Sequence, residues 1–220
     1  MTDTMRLEKA VGDGPGRDPS RPGRTRWLRR ELPPLLLTLG LLVVARSSFA
    51  NHYVVPSGSM EPTLVPGDRV VVDMSAYGVR VPFTGIELLA RNEPRPGDVV
   101  VFKSPADGTR LIKRVVAVGG QTVELVDGRL RIDGRPIQLD DGDGVSEHFG
   151  DRFARLDLAD GGGPDIAPLV IPPGQVLVLG DHRGRSADGR WFGLVPEAAF
   201  YGKALGVYWR SGEGPVWKKL

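Results

Sequence analysis

The stretch Thr122-Val-Glu-Leu-Val-Asp-Gly-Arg-Leu-Arg-Ile-Asp-Gly-Arg-Pro-Ile137 constrains the fold more than any other part of this 220-residue chain. Its two Asp-Gly pairs, Asp127-Gly128 and Asp133-Gly134, supply the positive φ angles that two-residue hairpin turns need. A short strand, Arg129–Ile132, fits between them and makes a meander. An apolar period near two recurs in Arg69–Asp73, Asp98–Phe102, Leu111–Val118 and Gln175–Leu179. These runs are rich in β-branched residues and bounded by Gly, Pro or Asp. Past residue 50 no helical period of useful length follows, apart from a turn at Pro196–Tyr201. Asp140–Pro164 is acidic and glycine-rich and reads as a surface excursion or loop. The expected fold class is mainly β, an antiparallel β-sheet domain over residues 51–220 with a smaller β lobe at roughly 124–174.

The N-terminal fifty residues follow other rules. Residues 1–31 carry eight Lys/Arg against five Asp/Glu, and six of the arginines fall between Arg17 and Arg30. This segment reads as a basic, disordered tail. Leu32–Ala45 then runs fourteen residues without a charge before Arg46 and Ser47–Ala50. Such a run fits a cleaved secretory signal, with small residues at Ser48 and Ala50, or an uncleaved membrane helix over Leu32–Ala50. Nineteen helical residues would span about 28 Å, close to a bilayer core. A buried core helix fits less well, because Pro33-Pro34 suits a helix start and not an interior. The flanking arginines would keep the tail cytoplasmic and export the rest.

Composition excludes several classes. The chain has no cysteine, which removes disulfide scaffolds, thiolate metal sites and cysteine nucleophiles. Residues 51–220 hold 20 basic and 22 acidic side chains, so the positive charge sits on the tail and not on the folded part. A nucleic-acid binder needs the opposite arrangement. Asp141-Gly-Asp-Gly-Val begins like a calcium loop but lacks the third ligand, the central Gly and the closing Glu. No metal or cofactor is implied, and Asp140–Asp151 is expected to be a solvated acidic loop.

Three segments carry candidate chemistry. Pro56-Ser-Gly-Ser-Met-Glu-Pro-Thr-Leu64 packs two serines and a glycine into a turn that can present a hydroxyl. A serine becomes a nucleophile only with a base beside it. The candidate bases are His52, His148 and His182, the last preceded by Asp181 as a Ser–His–Asp arrangement would allow, and a few lysines. Lys113 stands out because it lies inside the apolar run Leu111–Val118, where burial would lower its pKa toward neutrality. A solvent-facing Lys113 paired with an acid is the alternative. The third segment, Gly180-Asp-His-Arg-Gly-Arg-Ser-Ala-Asp-Gly-Arg190, alternates charges as a loop pinned by internal ion pairs would.

Taken in order, these segments resemble the bacterial type I signal peptidases, membrane-anchored Ser/Lys endopeptidases that remove signal peptides from exported preproteins. The resemblance runs from about Leu32 to Tyr208 and rests on four blocks: Pro56–Leu64, Arg95–Phe102, Leu111–Val115 and Gly180–Arg190. It implies Ser59 as nucleophile and Lys113 as general base, with Ser57 and the Ser59 backbone N–H as the oxyanion hole. It further implies Ser186 as the residue that orients the lysine. Asp181, Arg183, Asp188 and Arg190 would form an ion-paired scaffold. Val55, Met60, Leu64, Leu111, Ile112 and Ala187 would line pockets for small residues, the Ala-X-Ala preference. Departures are His182, where Asn is usual, Gly189, where Ser is usual, and Gly119-Gly120-Gln121 in place of Pro-Gly-Asp.

The resemblance favours an uncleaved anchor in the plasma membrane, single-pass, with the catalytic domain outside. The expected partners are exported preproteins and the lipid bilayer, without nucleic acid or metal. Three rival readings stay open: a self-cleaving Ser/Lys regulator, a homologue with a restricted substrate, and a non-enzymatic exported β domain.

Overall fold

The computed structural model describes residues 31–39, 51–80, 87–90, 92–140 and 144–220. The tail expected over 1–31 lies outside them apart from Glu31, as do residues 40–50 of the expected anchor and 141–143 of the acidic loop. Residues 31–39 form helix α1, in which Leu32, Leu35, Leu36, Leu37 and Leu39 are all exposed. Among the described residues no helix is long and apolar enough to cross a membrane.

From residue 51 the chain is β, as its alternation predicts. The first strands are β1 (Asn51–Val54), β2 (Arg69–Asp73), β3 (Gly78–Arg80), β4 (Glu87–Ala90), β5 (Val99–Lys103) and β6 (Arg110–Val118). Next come β7 (Thr122–Val126), β8 (Arg129–Ile132), β9 (Arg135–Pro136), β10 (Gln138–Asp140), β11 (Val145–Phe149) and β12 (Arg152–Leu156). The last are β13 (Ile166–Val170), β14 (Gln175–Leu179), β15 (Val195–Pro196), β16 (Phe200–Arg210) and β17 (Gly214–Lys219), with a four-residue helix α2 (Gly189–Phe192) before β15. The main sheet runs β1-β2-β16-β5-β6-β14-β15, and β17 adds to β16. Smaller sheets are β10-β11-β12, β13-β7-β8-β9 and the pair β3-β4. All strand ladders are antiparallel, so hairpins and short loops suffice to connect most of them.

Both Asp-Gly pairs form the turns they predict. Asp127 and Asp133 have φ of 50° and 52°, and Gly128 and Gly134 follow at 74° and 76°. Positive φ at both central residues matches the twist of the flanking strands.

The runs Val99–Phe102 and Val176–Leu179 are apolar without interruption because both faces of β5 and β14 are covered. Val99 and Val101 pack with Val55, Met60, Leu64, Val70 and Val72, whereas Val100 and Phe102 pack with Val115, Val176, Val178 and Phe200. Leu177 and Leu179 join Val123, Leu125 and Leu130 in a third cluster. The small β7–β8 sheet therefore shares its core with the main sheet. Burying each such Val or Leu contributes about 1.5–3 kcal/mol.

The acidic segment differs from its expected solvated form. Val145–Phe149 and Arg152–Leu156 pair as a hairpin, with Ser146 and Glu147 buried. Glu147 is fully enclosed because Arg183 meets its carboxylate at 2.6 Å. A local signal for this hairpin was present, since Gly150-Asp151 is a two-residue turn pair between alternating runs.

Candidate active site

Residues Gly58–Met60 make one 3₁₀ turn between β1 and β2, closed by Glu61 N–H donating to the Gly58 carbonyl at 3.0 Å. Met60 and Leu64 have no exposed surface and anchor the turn in the core. Downstream, the buried Asp68 carboxylate accepts from Val65 N–H at 3.1 Å and pairs with Arg210 at 2.9 Å. Arg210 and Lys218 also donate to the Thr63 carbonyl at 3.2 and 3.1 Å. The turn is thus gripped from below by apolar packing and from one side by the C-terminal hairpin.

Strand β6 brings Lys113 to this turn. Lys113 pairs with Val100 of β5, while β14 stops pairing at Arg114. Lys113 is 2% exposed and its Nζ donates to Ser59 Oγ at 2.5 Å. Burial lowers its pKa to about 8; Asp188 and Asp181 oppose the shift and Arg190 reinforces it. An amine with that pKa is neutral in a large fraction of molecules near neutrality and can take the hydroxyl proton. Ser57 is exposed, and its hydroxyl lies 3.4 Å from Ser59 Oγ, placing a second donor beside the same atom.

The expected scaffold is present with different partners. Asp188 and Arg190 pair within the loop at 2.8 Å. Burial would raise the Asp188 carboxyl, but the Arg190 hydrogen bond and charge and the Gly180 N–H outweigh it and hold it below the usual range. Asp181 pairs outside the loop with Arg114, through bonds of 2.8 and 2.7 Å. Arg183 likewise pairs with Glu147 and not within its own loop. The expectation of internal pairing therefore holds only for Asp188–Arg190. A buried guanidinium needs a carboxylate wherever the fold can supply one. Arg114 also donates to the Gly97 carbonyl at 2.9 Å and Thr63 Oγ1 at 3.3 Å, linking three of the four sequence blocks.

Ser186 is buried and within electrostatic reach of Asp188, but its Oγ has no hydrogen-bond partner, Lys113 included. His182 is also buried, yet it touches Ser59 only through its backbone N–H, which donates to the Ser59 carbonyl at 3.3 Å. Its ring faces carboxylates, with Nε2 3.1 Å from Asp160. The Ser–His–Asp arrangement does not form. His52 is in ring contact with Tyr208 and His148 with Phe153.

Beside the dyad lies a groove of about 440 Å³ between β1 and the start of β6. Val55, Leu111 and Ile112 line it, as expected. Met60 and Leu64 instead sit wholly in the core, and Ala187 is exposed but not on this lining. Among the described strands, β1 pairs only with β2, and residues 110–113 of β6 pair only with β5. Two strand edges with free backbone groups therefore border the groove. The Arg110 guanidinium spans it, 4.8 Å from the Tyr53 ring centroid.

Sequence reasoning missed Arg114, Glu147 and Thr63. Arg114 adjoins Lys113 in a strand, where a second charge inside an apolar run was the available signal. Thr63 carried none.

Comparison with known proteins places this geometry. The family described as "Signal peptidase, peptidase S26" matches residues 25–209. A probable signal peptidase I-1 of Synechocystis is 30% identical over 84% of this chain and 84% of its own length. The signal peptidase I of Pseudomonas aeruginosa is 30% identical over 85% of this chain and 77% of its own. That of Mycobacterium tuberculosis H37Rv is 30% identical over 87% and 76%.

Proposed function

Because the chain belongs to the peptidase S26 family of signal peptidases, we propose that it removes N-terminal signal peptides from exported preproteins with Ser59 as nucleophile and Lys113 as general base. The observation that carries the assignment is the 2.5 Å contact between Lys113 Nζ and Ser59 Oγ inside a buried strand. Neutral Lys113 takes the Ser59 proton as Oγ attacks the carbonyl of the scissile bond. The protonated amine then passes that proton to the leaving nitrogen, and a water activated by Lys113 releases the acyl-enzyme.

The oxyanion would be held by the Ser57 hydroxyl and the Ser59 N–H, each such donor typically contributing about 3 kcal/mol. Substrate would enter as an extended strand in the groove between β1 and β6, where open edges supply backbone hydrogen bonds. Val55, Leu111 and Ile112 favour small apolar side chains there, in keeping with an Ala-X-Ala preference. Ser186, free of other partners, is positioned to turn its hydroxyl toward the lysine once substrate excludes water. Asp181, Arg183, Asp188 and Arg190 hold the floor of the site.

The proposed organisation is a cytoplasmic tail 1–31, a single membrane anchor 32–50 and an extracytoplasmic protease domain 51–220, with a smaller β lobe at roughly 124–174. Support for the anchor comes from the uncharged run, its arginine flank and the exposed leucines of α1. Ser59 follows Ala50 by nine residues, so the nucleophile would work near the membrane face where a preprotein presents its cleavage site.

The test is cleavage of a preprotein whose signal ends in Ala-X-Ala by the detergent-solubilised chain, beside Ser59→Ala and Lys113→Arg. Product from the native chain alone supports the dyad. Undiminished cleavage by either variant overturns its assignment.

A further inference from the structure

We propose that His182 is a positioning residue for Ser59, a buried imidazole that ties the nucleophile turn to two neighbouring loops through a cluster of carboxylates. The proposal rests on Ser59 being the nucleophile. The ring is 5% exposed and meets acidic groups on both of its nitrogens. Nε2 lies 3.1 Å from Asp160 Oδ2, while Nδ1 faces Glu61 Oε2 at 3.6 Å and Asp157 Oδ2 at 3.7 Å and has no hydrogen-bond partner.

The three carboxylates come from different places. Glu61 belongs to the nucleophile turn, two residues after Ser59. Asp157 and Asp160 follow β12, and residue 157 runs as a parallel bridge beside residue 182. That bridge is made by Asp157 N–H to the Asp181 carbonyl at 2.9 Å and Arg183 N–H to the Asp157 carbonyl at 3.0 Å. One cation also faces the cluster, Arg185, whose Nε is 3.7 Å from Asp160. The adjacent charges Asp181 and Arg183 are committed to Arg114 and Glu147.

Carboxylate oxygens only accept hydrogen bonds, so a ring with acceptors on both sides is satisfied best with an N–H on each nitrogen. In that form His182 draws Glu61 toward Asp157 and Asp160. The Glu61 carboxylate also packs so closely on Gly58 that a Cβ there would lie 2.8 Å from its Oε2. Motion of Glu61 therefore passes to the residue before Ser59. The backbone N–H of His182 holds the Ser59 carbonyl at the same time, giving the turn two attachments to one residue. Without the ring, the turn keeps one attachment and the Oγ–Nζ alignment loosens. Misplacement of about 1 Å at a reacting atom can slow chemistry about 100-fold.

His182→Asn is the decisive variant. It installs the residue the family resemblance expects, keeps the backbone N–H and removes only the ring. Asp160→Asn, at a half-exposed carboxylate, is a milder companion that leaves the buried ring in place. Both are measured with Glu61→Gln, the double variant His182→Asn/Glu61→Gln, and Ser59→Ala, using the full-length chain in detergent and an Ala-X-Ala preprotein. The expected result for His182→Asn is a fall in kcat of about tenfold or more with KM nearly unchanged. Asp160→Asn falls in the same direction by less, and the double variant is no slower than the slower single variant, because both act on one linkage. Native kcat in His182→Asn, or losses that multiply in the double variant, overturns the proposal while an inactive Ser59→Ala leaves the nucleophile assignment standing. Activity in Ser59→Ala overturns both.

Discussion

The Arg183 guanidinium and the Glu147 carboxylate meet at 2.6 Å with 1% and 0% of their side chains exposed. Arg183 also donates to the Gly180 carbonyl at 3.1 Å, so this pair from a peripheral hairpin supports the loop beneath Lys113. Removing one partner leaves the other charged in a dry environment. Glu147→Gln is expected to lower stability by about 3–5 kcal/mol. Pairing it with Arg183→Met should recover most of that loss. Denaturant midpoints of the single and double variants check this, and additive losses in the double variant would refute it.

The depressed pKa of Lys113 makes cleavage depend on pH in a defined direction. The neutral amine is the active form, so kcat/KM is expected to rise through a midpoint near pH 8. A profile flat between pH 6 and 9 would remove Lys113 as the base.

The same shift sets a stability cost. Lys113 has a folded pKa of about 8 against an ordinary value of 10.5, so the unfolded chain holds more protons between those limits. Stability contributed by this group therefore rises with pH over that window, and the full penalty, about 3 kcal/mol, applies below it. Lys113→Met is expected to be inactive yet more stable at pH 7, by less than that penalty because its bond to Ser59 is lost. Its advantage should shrink toward pH 10.5. Urea titrations at pH 7 and 10 provide the comparison.

Gly180 lies where the last block passes under the nucleophile. A Cβ there would overlap the Ser186 side chain and the Ser59 carbonyl. Gly180→Ala is expected to reduce kcat about 100-fold by displacing the turn, which a side-by-side rate measurement with native chain would read. A native rate would mean that the turn tolerates the shift.

The C-terminal hairpin offers a subtler lever. Lys218 and Arg210 both donate to the Thr63 carbonyl. Lys218→Met is expected to slow cleavage severalfold, with a melting temperature within a few degrees of native because Arg210 retains the contact. A rate equal to the native rate would confine the hairpin to a packing role.

Much of this protein was legible in the sequence because the relevant preferences are local. Asp127-Gly128 and Asp133-Gly134 determine their turns through backbone sterics within two residues, and β-branched runs bounded by Gly, Pro or Asp determine strands. The blocks around Ser59 and Lys113 marked the reacting groups by residue type and order. What the sequence did not decide was which charges meet and which are dry. Arg114 could be assigned to Asp181, Arg183 to Glu147, and the His182 ring to Glu61, Asp157 and Asp160 only once strand order and register had brought them together. The same holds for the 2.5 Å contact between Lys113 and Ser59, which are 54 positions apart. Desolvation depends on what surrounds a group from every side, and for these residues the surroundings come from segments far away along the chain.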